Sequence, residues 1–408
     1  MTADRHTDGE PARWSAVLAM TLCVFTLVAS EFMPVSLLTP VASDLRVSEG
    51  LAGQAISISG AFAVLTSLFI TRLAGALDRG VLLLGMTAMM VLSAAVIALA
   101  PNYAVYMFGR VFIGVAIGGF WSMSAATAIR LVPDRDVPRA LAIFNGGNAL
   151  AMVIAAPLGS YLGALVGWRG AFFCLVPVAV LAFAWQWISL PPMKRESRAP
   201  GSVGVFGLLR NPAVAIGMAA VSVFFMGQFA LYTYVRPFLE TVADVDVSTL
   251  SLILLGTGAA GFIGTAFIGT LLKAGLYRPL IAIPVAMAFI ALALVASGRN
   301  TAAAGALLAL WGLLGTAAPV GWWTWLARSL PQHAETGGGL MVAVVQLAIA
   351  LGSTVGGLVF DSAGYRSTFT LSAVLLLAAG FLAFLASRSS PAANDLLRDR
   401  ARPTGCTT

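Results

Sequence analysis

The sequence predicts an all-α membrane protein in which 12 transmembrane helices form two six-helix halves. Composition, the spacing of apolar runs and the distribution of basic residues support this fold class. The chain has 408 residues, of which 59% are hydrophobic and only 10% are charged. Soluble domains are about 45–50% apolar and about 25% charged. The composition therefore excludes most soluble enzymes and disordered proteins, and leaves little length for a soluble domain.

Twelve apolar runs are long enough to cross a bilayer, which takes about 17–25 helical residues. Helices are expected because the backbone in lipid must satisfy its own hydrogen bonds. A tight turn is predicted at Pro101 and Asn102, between the third and fourth runs. The runs are residues 14–38, 51–70, 81–100, 103–129, 140–166, 170–190, 213–235, 250–272, 280–296, 302–326, 338–360 and 367–386.

The Lys and Arg residues are distributed unevenly between the two sides of the membrane. Eighteen lie on the side that carries both termini, five lie on the other side, and Arg110 falls inside a span. Cytoplasmic loops carry the excess of Lys and Arg, so both termini are predicted to be cytoplasmic, in a bacterial inner membrane. A nucleic-acid partner would need a basic patch on a soluble face, and none is expected despite the net charge of +7.

A basic segment rich in Gly and Pro, residues 191–212, predicts a cytoplasmic linker between the halves. The halves are then residues 14–190 and 213–386, with cytoplasmic tails at 1–13 and 387–408. The Gly-Trp-Arg sequence at 167–169 recurs as Gly-Tyr-Arg at 364–366, an offset of 197 that Gly159 and Gly356 share. A second offset of 200 relates residues 44–48 to 244–248. These offsets favour a parallel internal repeat.

The candidate proton-coupling residues are Glu31 and Arg110. Glu31 is the only acidic residue well inside a predicted span, roughly 10 Å from the outer surface by helical rise. A charge at such depth costs about 2.5–3.5 kcal/mol or more, which favours a functional role. The alternative is a first helix that ends near Pro34 with Glu31 at the interface. Arg110 lies at a similar depth. It could pair with Glu31 or donate to backbone carbonyls, and the two roles can coexist.

Polar amides and aromatic residues inside the spans are the candidates for binding a substrate. The alternative for each amide is a hydrogen bond that joins two helices. The three cysteines and two histidines lack the spacing of a metal site, so we expect no metal, no cofactor and no enzymatic activity. The substrate-binding candidates are Trp121, Asn145, Asn148, Gln228, Tyr232, Tyr234 and Gln346.

Short motifs in one loop and two spans match the signatures of a known transporter family. The matching positions are Gly75, Asp78 and Arg79 in the loop after span two, Arg110, Gly114 and Gly118 in span four, and Pro157 and Gly159 in span five. With the two-half plan and the basic linker, these motifs resemble the major facilitator superfamily and its proton-antiport export branch. The resemblance implies that the motif glycines and Pro157 serve conformational change. The alternative for any single glycine is ordinary close packing.

Within that superfamily the chain is similar to the bacterial purine ribonucleoside efflux pumps. The resembling stretches are residues 31–40, 67–71, 118–121, 227–230 and 319–322. This similarity implies antiport of protons against a small-molecule substrate, a purine ribonucleoside such as inosine or guanosine, by a protein that we expect to be monomeric. The alternatives are efflux of sugars or drugs within the same superfamily and, from another class, a channel or sensor. A channel would need a selectivity filter or charged rings, which the sequence does not display.

Overall fold

The computed structural model describes residues 12–73, 77–193, 205–330 and 334–389, and over these ranges the chain contains helices and no strands. Two short 3-10 turns, Asp134–Asp136 and Val205–Arg210, accompany the α-helices. The α-helices are α1 Trp14–Ser36, α2 Leu38–Leu45, α3 Glu49–Leu73, α4 Arg79–Ala98, α5 Tyr103–Arg130, α6 Val137–Phe173, α7 Leu175–Ser189, α8 Pro212–Tyr232, α9 Val235–Thr241, α10 Val247–Ala274, α11 Tyr277–Ser297, α12 Thr301–Ser329 and α13 Ala334–Arg388.

The helices supply the 12 crossings that the sequence predicts. Ten stretches of the described chain are apolar and long enough to span a bilayer, and two of them, Arg139–Ser189 and Gly337–Arg388, contain 51 and 52 residues. A helix of that length extends about 77 Å, more than twice the roughly 30 Å of a hydrocarbon core. Both stretches are interrupted by a non-helical glycine, Gly167 in the first and Gly364 in the second. Each long stretch therefore contributes two crossings.

The two interruptions lie at the predicted offset of 197 residues. Gly167 has φ 74° and ψ 166°, and Gly364 has φ 73° and ψ 179°. These values lie in a region that glycine enters without a Cβ clash, so the turn between the fifth and sixth crossings of each half needs glycine. The first crossing of each half is also divided alike, into α1 and α2 and into α8 and α9. Half of the predicted linker, residues 194–204, lies outside the described residues.

Glycines bring the second and fourth crossings close together. A side chain at Gly114 would overlap the carbonyl oxygen of Ser59, and one at Gly118 would overlap the carbonyl oxygen of Ala63. Small residues permit this backbone approach in membranes, where dispersion contacts rather than hydrophobic burial hold helices together. Arg110 lies one turn before Gly114 in α5. The close packing of α5 against α3 therefore fixes the position of Arg110 along the helix axis of α3.

Candidate functional site

Arg110 is fully buried, and its guanidinium group joins α5 to α1 and α3. Nη1 donates to the carbonyl oxygen of Ser30 at 2.8 Å, Nε donates to that of Ala55 at 3.0 Å, and Nη2 donates to the Ser59 hydroxyl at 3.0 Å. Nη2 also lies 3.3 Å from the carbonyl oxygen of Glu31. Donation to backbone carbonyls, one of the two roles predicted for Arg110, is therefore present in the structure.

Pro34 explains why the Ser30 carbonyl is available to Arg110. In a regular α-helix the N–H of residue 34 would donate to the carbonyl of residue 30, but proline has no N–H. The Ser30 carbonyl is thus an acceptor without a helical donor, in a buried part of α1. A buried carbonyl of this kind costs about 1–3 kcal/mol unless it is satisfied, and the Arg110 guanidinium satisfies it. Helix α1 continues past Glu31 to Ser36, so Glu31 lies inside this helix, in its buried part.

Glu31 hydrogen bonds across the interface between the two halves. Its side chain is 5% exposed, and Oε1 accepts from Nε2 of Gln346 at 3.1 Å. Gln346 lies in α13, 315 residues further along the chain. Among the described residues no ion pair joins the Glu31 carboxylate to Arg110. The polar partner of this buried carboxyl group is therefore an amide from the opposite half.

Gln228 is placed in the C-terminal half much as Glu31 is placed in the N-terminal half. It lies 197 residues after Glu31, is 8% exposed, and directs Nε2 towards the carbonyl oxygen of Gly315 at 3.4 Å. Pro319 leaves that carbonyl without its helical donor, as Pro34 does for Ser30. The Oε1 atoms of Gln228 and Gln346 are both buried without a hydrogen-bond partner. The site thus contains two acceptors that lack donors.

Aromatic rings lie beside these polar groups. Phe32 and Phe229, which follow Glu31 and Gln228 in the sequence, stack across the two halves with ring centroids 5.7 Å apart and an interplanar angle of 26°. Tyr232 meets Phe229 edge-on, with centroids 6.3 Å apart. Trp121 is half-buried in the N-terminal half and packs edge-on against Phe144. The candidate site, defined as Glu31, Phe32, Gln228, Phe229, Tyr232 and Gln346, therefore combines flat apolar faces with hydrogen-bonding groups.

Two of the remaining predicted substrate contacts are engaged outside this cluster. Tyr234 is fully buried, and its hydroxyl donates to the carbonyl oxygen of Ser353 at 2.8 Å, so that group is already engaged in joining α13 to the C-terminal side of α8. Asn145 is exposed and donates to the carbonyl oxygen of Leu141 in its own helix at 2.9 Å. Asn148 is half-buried on α6. The structure brings Gln228, Tyr232 and Gln346 together with Glu31, and it leaves Tyr234 and Asn145 occupied elsewhere.

The halves are joined at the end of the molecule that carries α2 and α9. Asp361 of the C-terminal half accepts from Ser48 Oγ at 2.5 Å and from the Gly50 N–H at 2.9 Å, at the start of α3. Arg236, buried in α9, donates through Nη1 to the carbonyl oxygen of Ser36 at the end of α1. Each charge thus meets the helix end of opposite partial charge, which is the favourable orientation. We name these two contacts the outer closure, after the side to which the distribution of Lys and Arg in the sequence assigns this end.

The loop at the same end is fixed by the residues that follow Gly167. Arg169 donates through Nη1 to Asp44 Oδ2 at 2.5 Å and through Nε to the Ala100 carbonyl oxygen at 2.9 Å. Trp168 donates to the same Asp44 oxygen at 3.2 Å. The Arg169 hydrogen bond holds the pKa of Asp44 below its usual value, as expected for a carboxylate beside a guanidinium group.

The motif residues at the opposite end hold helix termini together. Asp78 caps α4 by accepting from the Gly80 N–H at 2.7 Å, and the Arg79 N–H donates to the Met193 carbonyl oxygen at 3.1 Å. The predicted motif residue Gly75 lies outside the described residues. In α6, which also contains Pro157, a side chain at Gly159 would overlap the Ser36 hydroxyl, so this glycine lets α6 approach α1.

Comparison with known proteins identifies the fold family. A family model described as the Major Facilitator Superfamily matches residues 20–353, which extend across both halves. The chain belongs to the major facilitator superfamily. Its solved structural neighbours include a bacterial homolog to the human lysosomal transporter Spinster, in an inward-facing and unoccupied conformation. That match has a TM-score of 0.76 and covers 97% of this chain and 100% of the other, and at 17% identity it supports the fold alone.

Two relatives of this major facilitator superfamily protein cover nearly its whole length. It is 63% identical over 391 residues to a Pseudomonas aeruginosa protein named "Transcription regulatory protein OpdE", covering 95% of this chain and 97% of the relative. It is 41% identical over 378 residues to the Salmonella typhimurium "Purine ribonucleoside efflux pump NepI", covering 93% of this chain and 95% of the pump. The chain is thus a multi-pass membrane protein of a transporter family.

Phe32, Phe229 and Ser59 are site residues that the sequence analysis missed. The two phenylalanines share the offset of 197 residues that relates the glycine breaks, so an alignment of the halves at this offset would have found them. Ser59 had no such signal, because its contact with Arg110 depends on how closely α3 approaches α5. The same offset relates Glu31 to Gln228, which marks these as equivalent positions of the two halves.

Proposed function

We propose that this major facilitator superfamily protein is a proton-coupled efflux transporter that exports purine ribonucleosides such as inosine and guanosine. We further propose that it lies in a bacterial inner membrane with both termini in the cytoplasm. The observation that carries the proposal is Glu31, a buried acid of the first crossing whose hydrogen-bond partner belongs to the other half. The 41% identical relative named as a purine ribonucleoside efflux pump supports the choice of substrate.

The position of Glu31 suits a group that takes up and releases a proton during transport. Its apolar surroundings disfavour the ionised form, whereas the Gln346 hydrogen bond and the nearby Arg110 charge favour it. Alternating access moves one half against the other, and the Gln346 bond crosses that boundary. The balance between these influences therefore changes with conformation, which is the requirement for coupling a proton gradient to a transport cycle.

The surroundings of Glu31 suit a flat ligand that carries hydrogen-bond donors. A purine base offers aromatic faces for stacking. Phe32 and Phe229 stack on one another in this structure, and with Tyr232 they form an aromatic surface against which a base would pack. The unpartnered Oε1 atoms of Gln228 and Gln346 accept hydrogen bonds from ligand N–H or O–H groups. A sugar or an amphipathic drug is the competing substrate class, and competition in a transport assay distinguishes it from a nucleoside.

The outer closure supports a binding site that is reached from the cytoplasm. Asp361 and Arg236 join the halves at the end that the basic residues assign to the outside. An exporter loads its substrate from the cytoplasm, so this arrangement corresponds to the loading state of the proposed cycle.

The name of the 63% identical relative suggests a second role, in transcriptional control. The match covers 97% of that relative, so the two chains correspond over nearly their whole length. An exporter influences transcription when it changes the intracellular concentration of an effector, and this requires no DNA-binding domain. We therefore treat transport as the primary activity of this chain and altered transcription as its consequence.

An efflux assay in bacteria that lack their endogenous nucleoside pumps tests the proposal. Cells loaded with labelled inosine should release it faster when they express this protein, and a protonophore should abolish the difference. Competition by guanosine, a monosaccharide and a cationic dye should show that only the nucleoside inhibits strongly. Equal release with and without the protonophore would contradict proton coupling, and inhibition by the sugar or dye alone would contradict the substrate.

A further inference from the structure

Gln346 has an amide group whose two ends face different surroundings. Nε2 donates to the Glu31 carboxyl group, while Oε1 is buried without a partner. The side chain is only 7% exposed, so water does not freely solvate the unpartnered oxygen. A buried acceptor of this kind is costly unless a ligand supplies the donor. The orientation of this amide therefore bears on what the site can bind.

The protonation state of Glu31 restricts that orientation. An ionised carboxylate only accepts hydrogen bonds, so it holds the amide with Nε2 towards Glu31 and Oε1 towards the site. A protonated carboxyl group carries an O–H, which can donate to Oε1 once the amide is reversed. Reversal exchanges the two ends, and the site then meets two N–H donors in place of one carbonyl acceptor.

The other groups around Glu31 do not take over this role. On α5, Arg110 is the charged group that acts on Glu31, and its guanidinium is committed to backbone carbonyls of α1 and α3 and to Ser59. Arginine keeps its charge throughout the physiological range, so it does not switch. Ser59 of α3 is uncharged and donates within its own helix. Gln346 is thus the group that a proton on Glu31 can reorient.

We propose that Gln346 is a positioning residue that converts the protonation of Glu31 into a change of ligand preference. With Glu31 ionised, Gln346 presents an acceptor and favours a ligand that has an N–H donor at that point. With Glu31 protonated, the amide presents donors and the same ligand is repelled and released. This inference rests on the proposed nucleoside export, for which it supplies a chemical link between proton binding and substrate release.

A pair of ligands that differ by one donor tests the switch without any substitution. Inosine has an N–H at N1 of its base, and 1-methylinosine has a methyl group there. In the purified full-length protein at neutral pH, 1-methylinosine should bind about tenfold more weakly than inosine, the effect of one buried hydrogen bond. At mildly acidic pH this preference should fall towards equality. A preference that is the same at both pH values overturns the proposal.

Two variants separate the switch from a structural effect. Gln346→Met keeps the side-chain length but removes both hydrogen-bonding ends, so the preference should be absent at either pH. Gln186→Met is the matched control, because Gln186 is another fully buried amide, bonded to Thr87 and away from Glu31. The control should retain the pH-dependent preference of the parent. Retention of that preference by Gln346→Met would refute the assignment.

The parent protein also distinguishes this inference from the proposed function. If the parent binds neither inosine nor 1-methylinosine at either pH, the nucleoside substrate is wrong, and the assignment of Gln346 falls with it. If the parent binds inosine and proton-driven export occurs, yet the preference between the two ligands does not vary with pH, only the role of Gln346 is wrong.

Discussion

Replacement of Arg110 by Met should destabilise the protein by an amount that depends on Pro34. In the parent, Arg110 is the donor at 2.8 Å for the Ser30 carbonyl, because Pro34 supplies no helical N–H. Arg110→Met leaves that carbonyl buried and unsatisfied, at a cost of about 1–3 kcal/mol in addition to the other lost contacts. In a Pro34→Ala background the alanine N–H takes over the carbonyl. The cost of Arg110→Met should then be smaller by about 1–3 kcal/mol.

A double-mutant cycle measures this coupling directly. The free energy of unfolding would be determined in lipid bicelles for the parent, both single variants and the double variant. Arg169→Met is the matched control, because Arg169 also donates to a backbone carbonyl, that of Ala100, but has no contact with Pro34. Its cost should be unchanged by Pro34→Ala. If the Arg110→Met cost agrees in the two backgrounds within about 0.5 kcal/mol, the sites are independent and the explanation is refuted.

Three further predictions concern packing, closure and pH. Gly118→Ala should lower the free energy of unfolding by about 1–3 kcal/mol, because the added Cβ overlaps the backbone of α3. Gly146→Ala is the control: its added Cβ has no atom within 4 Å, so it should not destabilise the protein by a similar amount. Asp361→Asn should weaken the outer closure. A cysteine introduced at the buried position Ser57 should then react faster with a thiol reagent added from outside. An unchanged reaction rate would count against the closure. The hydrogen bond from Arg169 lowers the pKa of Asp44 from its usual value of 3.8. It therefore stabilises the folded state fully at pH values above 3.8, and this stabilisation is lost as the pH falls through the lowered pKa. Asp44→Asn should therefore lose less stability on acidification than the parent does, and an equal loss would contradict the assignment.

The course of the chain could be predicted because its physical causes are local. Each apolar run had to be helical in lipid, and each run is long enough to be recognised without knowledge of its neighbours. The breaks at Gly167 and Gly364 were signalled by repeated residues around a glycine. The division of the first crossing into α1 and α2 at Leu37 was not predicted, since the hydrophobic run continues through it unchanged.

The site could be predicted only in part, because several of its contacts join distant segments. Glu31 and Arg110 stood out because charge is expensive inside a membrane. The choice between an ion pair and backbone donation for Arg110 depended on the side-chain conformation, although the proline four residues after Ser30 was a signal. The partnership with Gln346 spans 315 residues, and periodicity within one helix does not reveal such contacts. Tyr234 looked like a ligand contact, but its hydroxyl is satisfied by a neighbouring helix.

Proton-driven export by the Glu31→Gln variant is the most direct test of the central claim. The parent and the variant would be reconstituted into proteoliposomes, with labelled inosine outside and an imposed pH gradient, acidic inside, driving its uptake by inside-out transporters. Glu49→Gln provides the matched control, since it makes the same change in an acid at the start of α3. The account predicts that the parent and Glu49→Gln accumulate inosine, while Glu31→Gln binds inosine without gradient-driven accumulation. Accumulation by Glu31→Gln at the parent rate and with the parent pH dependence would contradict it.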